Sequence, residues 1–326
     1  MEKLNEGTLI NAIKAASIHK KVGKYVRDTI HPGLLLKDIA ILIENKIKEE
    51  IIPDNNKLDR GIAFPVGLSV NNCAAHYTPN YNEESSTLNI DDIIKIDYGV
   101  HIKGTIIDSA FTMCFNEKYN EFINISKDVT NFAVSQCGPD AVLGDIGASI
   151  EEYVKSIEID IDNKHYKLQT MKDLSGHMIA KYEIHAGKAV PNIGINYQLR
   201  MREGEYYAIE PFITTGNGDS IIKEPNSHYM LKMNHNMIAA SLNKNEEIEY
   251  NIIKENYGTL PFCQRWLYEL DNKFDHDKFL KRLHTKKILN EYPPLYDIKG
   301  SIISQFEHTI FIKNNGIINL TKNDYY

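Results

Sequence analysis

Residues 93–113, IIKIDYGVHIKGTIIDSAFTM, constrain this chain more than any other stretch. Two β-branched runs flank a short loop ending in Gly104, the pattern of a β-hairpin. Each run carries one aspartate among isoleucines. If Ile102 and Lys103 form the turn, Asp97 and Asp108 lie directly opposite each other, with Cβ atoms about 5 Å apart. At an effective dielectric near 20 their repulsion is about 3 kcal/mol. Either the pair is solvated at a sheet edge, or a cation compensates it.

Three other polar groups stand out. His177 follows Ser175-Gly176 and precedes a strand-like segment at 178–190 that takes in Ile184-His185. Glu210 closes the run Tyr206-Tyr207-Ala208-Ile209, and Glu307 lies inside Gln305–Ile312. A lone histidine after glycine is ordinarily a loop residue, and a lone strand glutamate ordinarily lies at a sheet edge. An acidic group inside an apolar strand is costly unless paired or metal-bound. Four carboxylates and one imidazole together suit a pair of divalent cations (Mn, Fe, Co or Zn) better than one structural zinc.

The remaining texture is mixed. Apolar residues at helical spacing (Leu9, Ile13, Ala16, Val22, Val26, Ile30) predict a helix over 7–30, stopped by His31-Pro32-Gly33. A second helix is expected over Leu35–Glu50, and helical character again over 118–158. Strands are expected over 61–72, 205–214 and 301–313. Short helices within 233–290 are expected to pack on Phe262, Trp266 and Leu270. The class is therefore α+β with a mixed, largely antiparallel sheet. With 326 residues the chain is long enough to bury a large core. A net charge of −7 gives no reason to expect a nucleic-acid or membrane partner. The four cysteines form no CxxC pair and the N-terminus lacks an apolar signal region, so a cytoplasmic protein is expected.

The segments GIAFPVGLSVNNCAAHYTPN, KIDYGVHIKGTIIDSAFT, LSGHMIAKYEIHAGKAVP, EGEYYAIEPF, SHYM, YGTLPFCQRWL and YPPLYDIKGSIISQFEHTI occur in this order over residues 61–310. In sequence and spacing they resemble the methionine aminopeptidases, most closely those of type 2. The resemblance implies the pita-bread fold, in which two similar αβ halves hold a dimetal centre on a curved antiparallel sheet. It implies a catalytic domain of residues 1–232 and 291–326, interrupted by a helical type 2 insertion over 233–290. It makes Asp97, Asp108, His177, Glu210 and Glu307 the ligands of two divalent cations. His76, His185 and Glu210 become the catalytic groups, with Glu210 as the proton shuttle. Phe64, His76, Ile184, His185, His228 and Tyr292 become the substrate-binding residues.

The implied activity is removal of the initiator methionine from nascent polypeptides when the next residue is small. Implied partners are the ribosome and inhibitors of the fumagillin class, with the enzyme acting as a monomer. The chain begins close to the catalytic domain, without the long charged extension of many eukaryotic type 2 enzymes, which argues against direct ribosome docking. Two other readings use the same fold: a proline-specific aminopeptidase or dipeptidase, and a non-catalytic binding protein. The five retained ligand positions argue against the second.

Overall fold

The computed structural model describes residues 6–51, 58–239 and 242–323. A long helix, Glu6–Thr29, buries Ala12, Ala15, Ala16, Val22 and Val26 along one stripe, while Ile13 faces outward with half its surface exposed. The next helix, Leu36–Glu50, buries Leu36, Ile39, Ala40, Ile43 and Ile47, positions three and four apart that form one apolar face. Both helices pack on a sheet of three strands, Arg60–Val70, Ile94–Ile102 and Thr105–Met113. Every pair of neighbouring strands in the named sheets is antiparallel.

The hairpin register differs from expectation. Ile102 pairs with Thr105, so the turn is Lys103-Gly104, with φ of +52° and +77°. Two central residues at positive φ suit a glycine and a flexible lysine. A turn at Ile102 would have forced a β-branched residue toward that region. Asp97 therefore pairs with Ala110, and Asp108 with Gly99. The shift is an even number of residues, so both aspartates stay on one face as diagonal neighbours.

The second half repeats the plan with a five-stranded sheet: Gly316–Asn319, His308–Lys313, Tyr206–Ile209, Ser175–Ile179 and Ala189–Pro191. The helical stretch expected over 118–158 is two helices, Asn120–Ser135 and Leu143–Lys155, parted where Gly138-Pro139 ends the first. His177 lies within a strand and not ahead of one, whereas Ile184-His185 sit in the following loop. The strand expected there ends at Ile179, because Ala180 bridges Glu183 in a tight turn with Tyr182 at φ +57°. The run 205–214 is split at Glu210-Pro211, since proline has no N–H to continue the ladder. Strands at Ile303–Gln305 and His308–Lys313 likewise leave Phe306-Glu307 between them.

The strand His228–Leu231 leads into helices His235–Ala239, Lys244–Tyr257, Gln264–Leu270 and His276–Thr285, and Leu289–Tyr292 leads back. Those two strands pair with each other. Phe262, Trp266 and Leu267 are buried in a core of this segment's own, together with Phe279 and Leu283. Leu270, the last residue of its helix, is 47% exposed and is not part of that core. No helix among the described residues is long and apolar enough to cross a membrane.

One ion pair fastens this segment to the first half. Arg265 donates to both carboxylate oxygens of Glu44, at 2.8 and 2.6 Å, and both residues are buried. Removing Glu44 leaves the buried guanidinium with only the half-exposed Glu269, 3.3 Å from Nη1, as an ionic partner among the described residues. Glu44→Ala is therefore expected to lower unfolding free energy by about 3–5 kcal/mol. Replacing both residues by leucine should recover most of that loss. Urea unfolding of the three proteins checks both outcomes, and an unchanged midpoint for Glu44→Ala would refute the account.

Candidate dimetal centre and substrate cavity

The hairpin delivers Asp97 and Asp108 to the concave side, where the second half delivers His177, Glu210 and Glu307. Side-chain and backbone bonds across the two halves fix this arrangement. Ser109 Oγ donates to the carbonyl of Glu307 at 2.5 Å, and the Glu307 N–H donates to Ala110 at 3.0 Å. Thr309 Oγ1 bridges the N–H and carbonyl of Asp108, at 2.9 and 2.5 Å. Thr112 Oγ1 does the same for Gln305, whose Nε2 donates to Glu210 at 3.1 Å. Gln305, Thr309, Ser109 and Thr112 escaped the sequence reading. Gln305 was within reach of it, two residues before Glu307.

His177 Nε2 lies 3.4 Å from an oxygen of Asp108 and 3.4 Å from one of Glu210. One ligand atom each from Asp108, His177 and Glu307 fall within 4.8 Å of one another. Asp97 and Asp108 are in direct side-chain contact. Burial, and then the charge of Asp108, push the carboxyl of Asp97 well above the usual range. Burial also raises Glu210 and Glu307, with the neighbouring carboxylates adding to it. Oδ1 of Asp97, Oδ1 of Asp108 and both oxygens of Glu307 are buried with no hydrogen-bond partner. Buried carboxylate oxygens without donors, beside a histidine nitrogen, fit divalent cations.

Above this floor is a cavity of about 480 Å³. His76, His185, His228, Phe64, Ile184 and Tyr292 all line it, as do Asp97, Asp108, His177 and Glu210. Glu307 is not on the cavity surface. The bulge at Pro65 swings the Phe64 ring over Gly99, leaving no room for a Cβ there. The Tyr292 ring stands edge-on to His76, with centroids 5.7 Å apart, and 5.5 Å from His185. His185 stands edge-on to His177 at 4.5 Å. Burial depresses His76 to about 4 and His228 to about 3, and it lowers His185 well below its ordinary value. All three imidazoles are neutral at physiological pH. Pro261, absent from the sequence reading, completes one wall.

The carboxyl cluster has two measurable consequences. A saturating divalent cation, at about 100 times its Kd, is expected to stabilise the protein by about 2.7 kcal/mol, and Asp108→Ala or Glu307→Ala to abolish most of that gain. In the cation-free protein, Asp97, Glu210 and Glu307 hold protons to higher pH than the unfolded chain does. Their contribution to stability therefore falls as pH rises from about 4 through their raised values. Thermal melts of chelated protein between about pH 5 and pH 7.5, with and without Mn or Co, test this. A melting temperature indifferent to cation at neutral pH would overturn it.

Residues 11–239 match the model of metallopeptidase family M24. Methionine aminopeptidase 2-1 of Fusarium vanettenii is 40% identical over 96% of this chain and 71% of its own length. Methionine aminopeptidase 2A of Arabidopsis thaliana is 39% identical over the whole chain and 73% of its own length. Among solved structures, a thermophilic Arx1 shares the fold at a TM-score of 0.85 and 18% identity, over 99% of this chain and 93% of that one. Methionine aminopeptidase from Thermotoga maritima does so at 0.66 and 20%, over 99% and 100%. The αβ halves and antiparallel sheets are thus those of the pita-bread fold. The chain belongs to metallopeptidase family M24 and, within it, to the type 2 methionine aminopeptidases.

Proposed function

We propose that this chain removes the initiator methionine from nascent polypeptides whose second residue is small, with two divalent cations held by Asp97, Asp108, His177, Glu210 and Glu307. The observation that carries this reading is that Asp97, Asp108, His177 and Glu210 line an apolar, histidine-rimmed cavity, with a Glu307 oxygen behind them within 4.8 Å of ligand atoms of Asp108 and His177. When bound, the cations supply Lewis acidity and bring the pKa of water toward neutrality. Glu210, steadied by Gln305, takes the proton of the attacking water and passes it to the leaving amine. Neutral His185 and His76 donate hydrogen bonds to the scissile carbonyl oxygen as it gains charge, and to the departing amide. Phe64, Ile184 and Tyr292 enclose an unbranched thioether, with His228 at the edge. Sulfur–aromatic contacts favour methionine there.

Residues 233–290 are a helical insertion into a catalytic domain made of 1–232 and 291–326. Their separate apolar core and the pairing of their entry and exit strands support this division. The enzyme acts in the cytoplasm as a monomer on nascent polypeptides.

The decisive assay is methionine release from a Met-Ala-Ser peptide. Chelation is expected to abolish it, and Mn, Co, Fe or Zn, tested singly, to identify the working cation. Glu210→Gln is expected to lower kcat by about 10²- to 10⁴-fold. Norleucine in place of methionine should be partly accepted. Release of leading Leu or Lys at the same rate as Met would refute the assignment. Preferential cleavage beside proline would favour the proline-specific reading.

His76 provides an independent check. A neutral imidazole at the cavity rim is a nucleophile, so epoxides of the fumagillin class are expected to alkylate it. Excess methionine should slow that reaction by filling the pocket. His76→Asn should lose catalysis yet keep its cations. Peptide mass mapping that finds the adduct on Cys73 or another histidine would show His76 to be misassigned.

A further inference from the structure

His76 has a backbone φ of +66°. A residue with a Cβ is uncommon in this left-handed region, although histidine tolerates it better than most, so contacts that fix the turn matter. The Leu68 N–H donates to the carbonyl of Tyr77 at 2.7 Å, and the backbone of Pro293 bonds to the His76 ring. The contacts on the backbone of His76 and Thr78 come from one short segment, Asn226–His228. Ser227 Oγ donates to the carbonyl of His76 at 2.8 Å. The same oxygen accepts from the N–H of Thr78 at 3.2 Å. One hydroxyl thus spans the two sides of Tyr77 and closes the turn on which the imidazole is mounted. Asn80 Nδ2 adds a second stitch, donating to the carbonyl of Asn226 at 3.0 Å. Nδ1 of His228 lies 3.2 Å from Ser227 Oγ, and its Nε2 lies 3.2 Å from the carbonyl oxygen of Pro65.

The segment is itself anchored. His228 pairs with Tyr292 on one side and with Cys263 on the other. The two rings that meet edge-on over the cavity, His76 and Tyr292, are therefore referenced to the same three residues. Ser227 is 1% exposed and does not line the cavity. It has no route to the substrate except through its neighbours.

We propose that Ser227 is a positioning residue for His76, holding its backbone in the left-handed conformation that aims the imidazole at the scissile bond. The inference rests on the role proposed above for His76. Without the hydroxyl, the His76 carbonyl and the Thr78 amide lose a shared partner in a buried place. The turn then relaxes toward ordinary φ, and the ring leaves its line. Misplacement by about 1 Å is enough to cost on the order of 100-fold in rate.

The test compares wild type, Ser227→Ala, Ser227→Thr, His76→Asn and the Ser227→Ala/His76→Asn double variant. Methionine release from Met-Ala-Ser, His76 alkylation by a fumagillin-class epoxide, and Mn binding are measured on each where applicable. Ser227→Ala is expected to lose about 10- to 100-fold in kcat, with KM changed less than about threefold. Alkylation of His76 should slow by a similar factor, while Mn affinity stays that of wild type. Threonine, which keeps the hydroxyl, should restore much of both rates. Measured on the residual rate of His76→Asn at high enzyme concentration, the serine substitution should cost nothing further, because its route to the reaction is gone. Wild-type kcat in Ser227→Ala would overturn the proposal. So would an equal loss in the His76→Asn background, or a parallel loss of Mn binding, which marks general damage. Absence of methionine release by the wild type is a different result, and it would refute the functional reading instead.

Discussion

Mutual repulsion among four carboxyl groups in a space with little water is the constraint around which this molecule is organised. Burial, and then the neighbouring carboxylates, make Asp97, Glu210 and Glu307 costly to ionise. A cation removes that cost only if the oxygens are already in place when it arrives. A loose scaffold would let the carboxylates swing apart into solvent. This one prevents it with short bonds beside three of them: Ser109 to Glu307 and Thr309 to Asp108 cross the two halves, and Gln305, itself tied across to Thr112, donates to Glu210. Strands are suited to the task, since their pleat presents alternate residues to one face at fixed spacing. The breaks at Glu210-Pro211 and Phe306-Glu307 free two carboxylates from strict alternation while their flanks stay paired.

Local pattern carried much of this. Aspartates among isoleucines, a glutamate closing an aromatic run and another inside an apolar strand were legible as oddities, because burial of charge has a recognisable sequence context. The hairpin itself was legible, though its register was not. Choosing between Ile102-Lys103 and Lys103-Gly104 as the turn depends on which residues accept positive φ. His177 read as a loop residue because glycine usually signals one. Here Gly176 lies in a strand where Ala208 and Val190 approach too closely for a side chain. Phe64 and Tyr292 entered only through family resemblance, since an aromatic in an apolar segment has the same local signature whether it lines a pocket or fills a core.

The groups that escaped share one property. Thr309, Gln305 and Ser227 act on partners about 100 to 200 residues away, and apart from the closeness of Gln305 to Glu307 nothing nearby in the chain marks them. A buried serine in Asn226-Ser227-His228 looks like any loop serine until the fold lays it against the His76 turn. Sequence thus exposes residues that are chemically out of place, and conceals those whose ordinary chemistry matters through position.

The helical segment belongs to the second kind. It has its own core and a single covalent way in and out, which would suit an appendage. Three contacts say otherwise. Thr259 Oγ1 donates to the carbonyl of Tyr182 at 2.7 Å, and the Tyr182 N–H donates to Gly104 at 2.9 Å. The turn that presents Ile184-His185 to the cavity is thereby clamped between the hairpin tip and the helical segment. Pro261 reaches the cavity wall two residues further on. Arg265, gripping Glu44 from the following helix, holds the segment against the first half. A cavity of about 480 Å³ with this wall removed would open on one side and admit water. The segment is therefore part of the cavity's construction, as the sheets are.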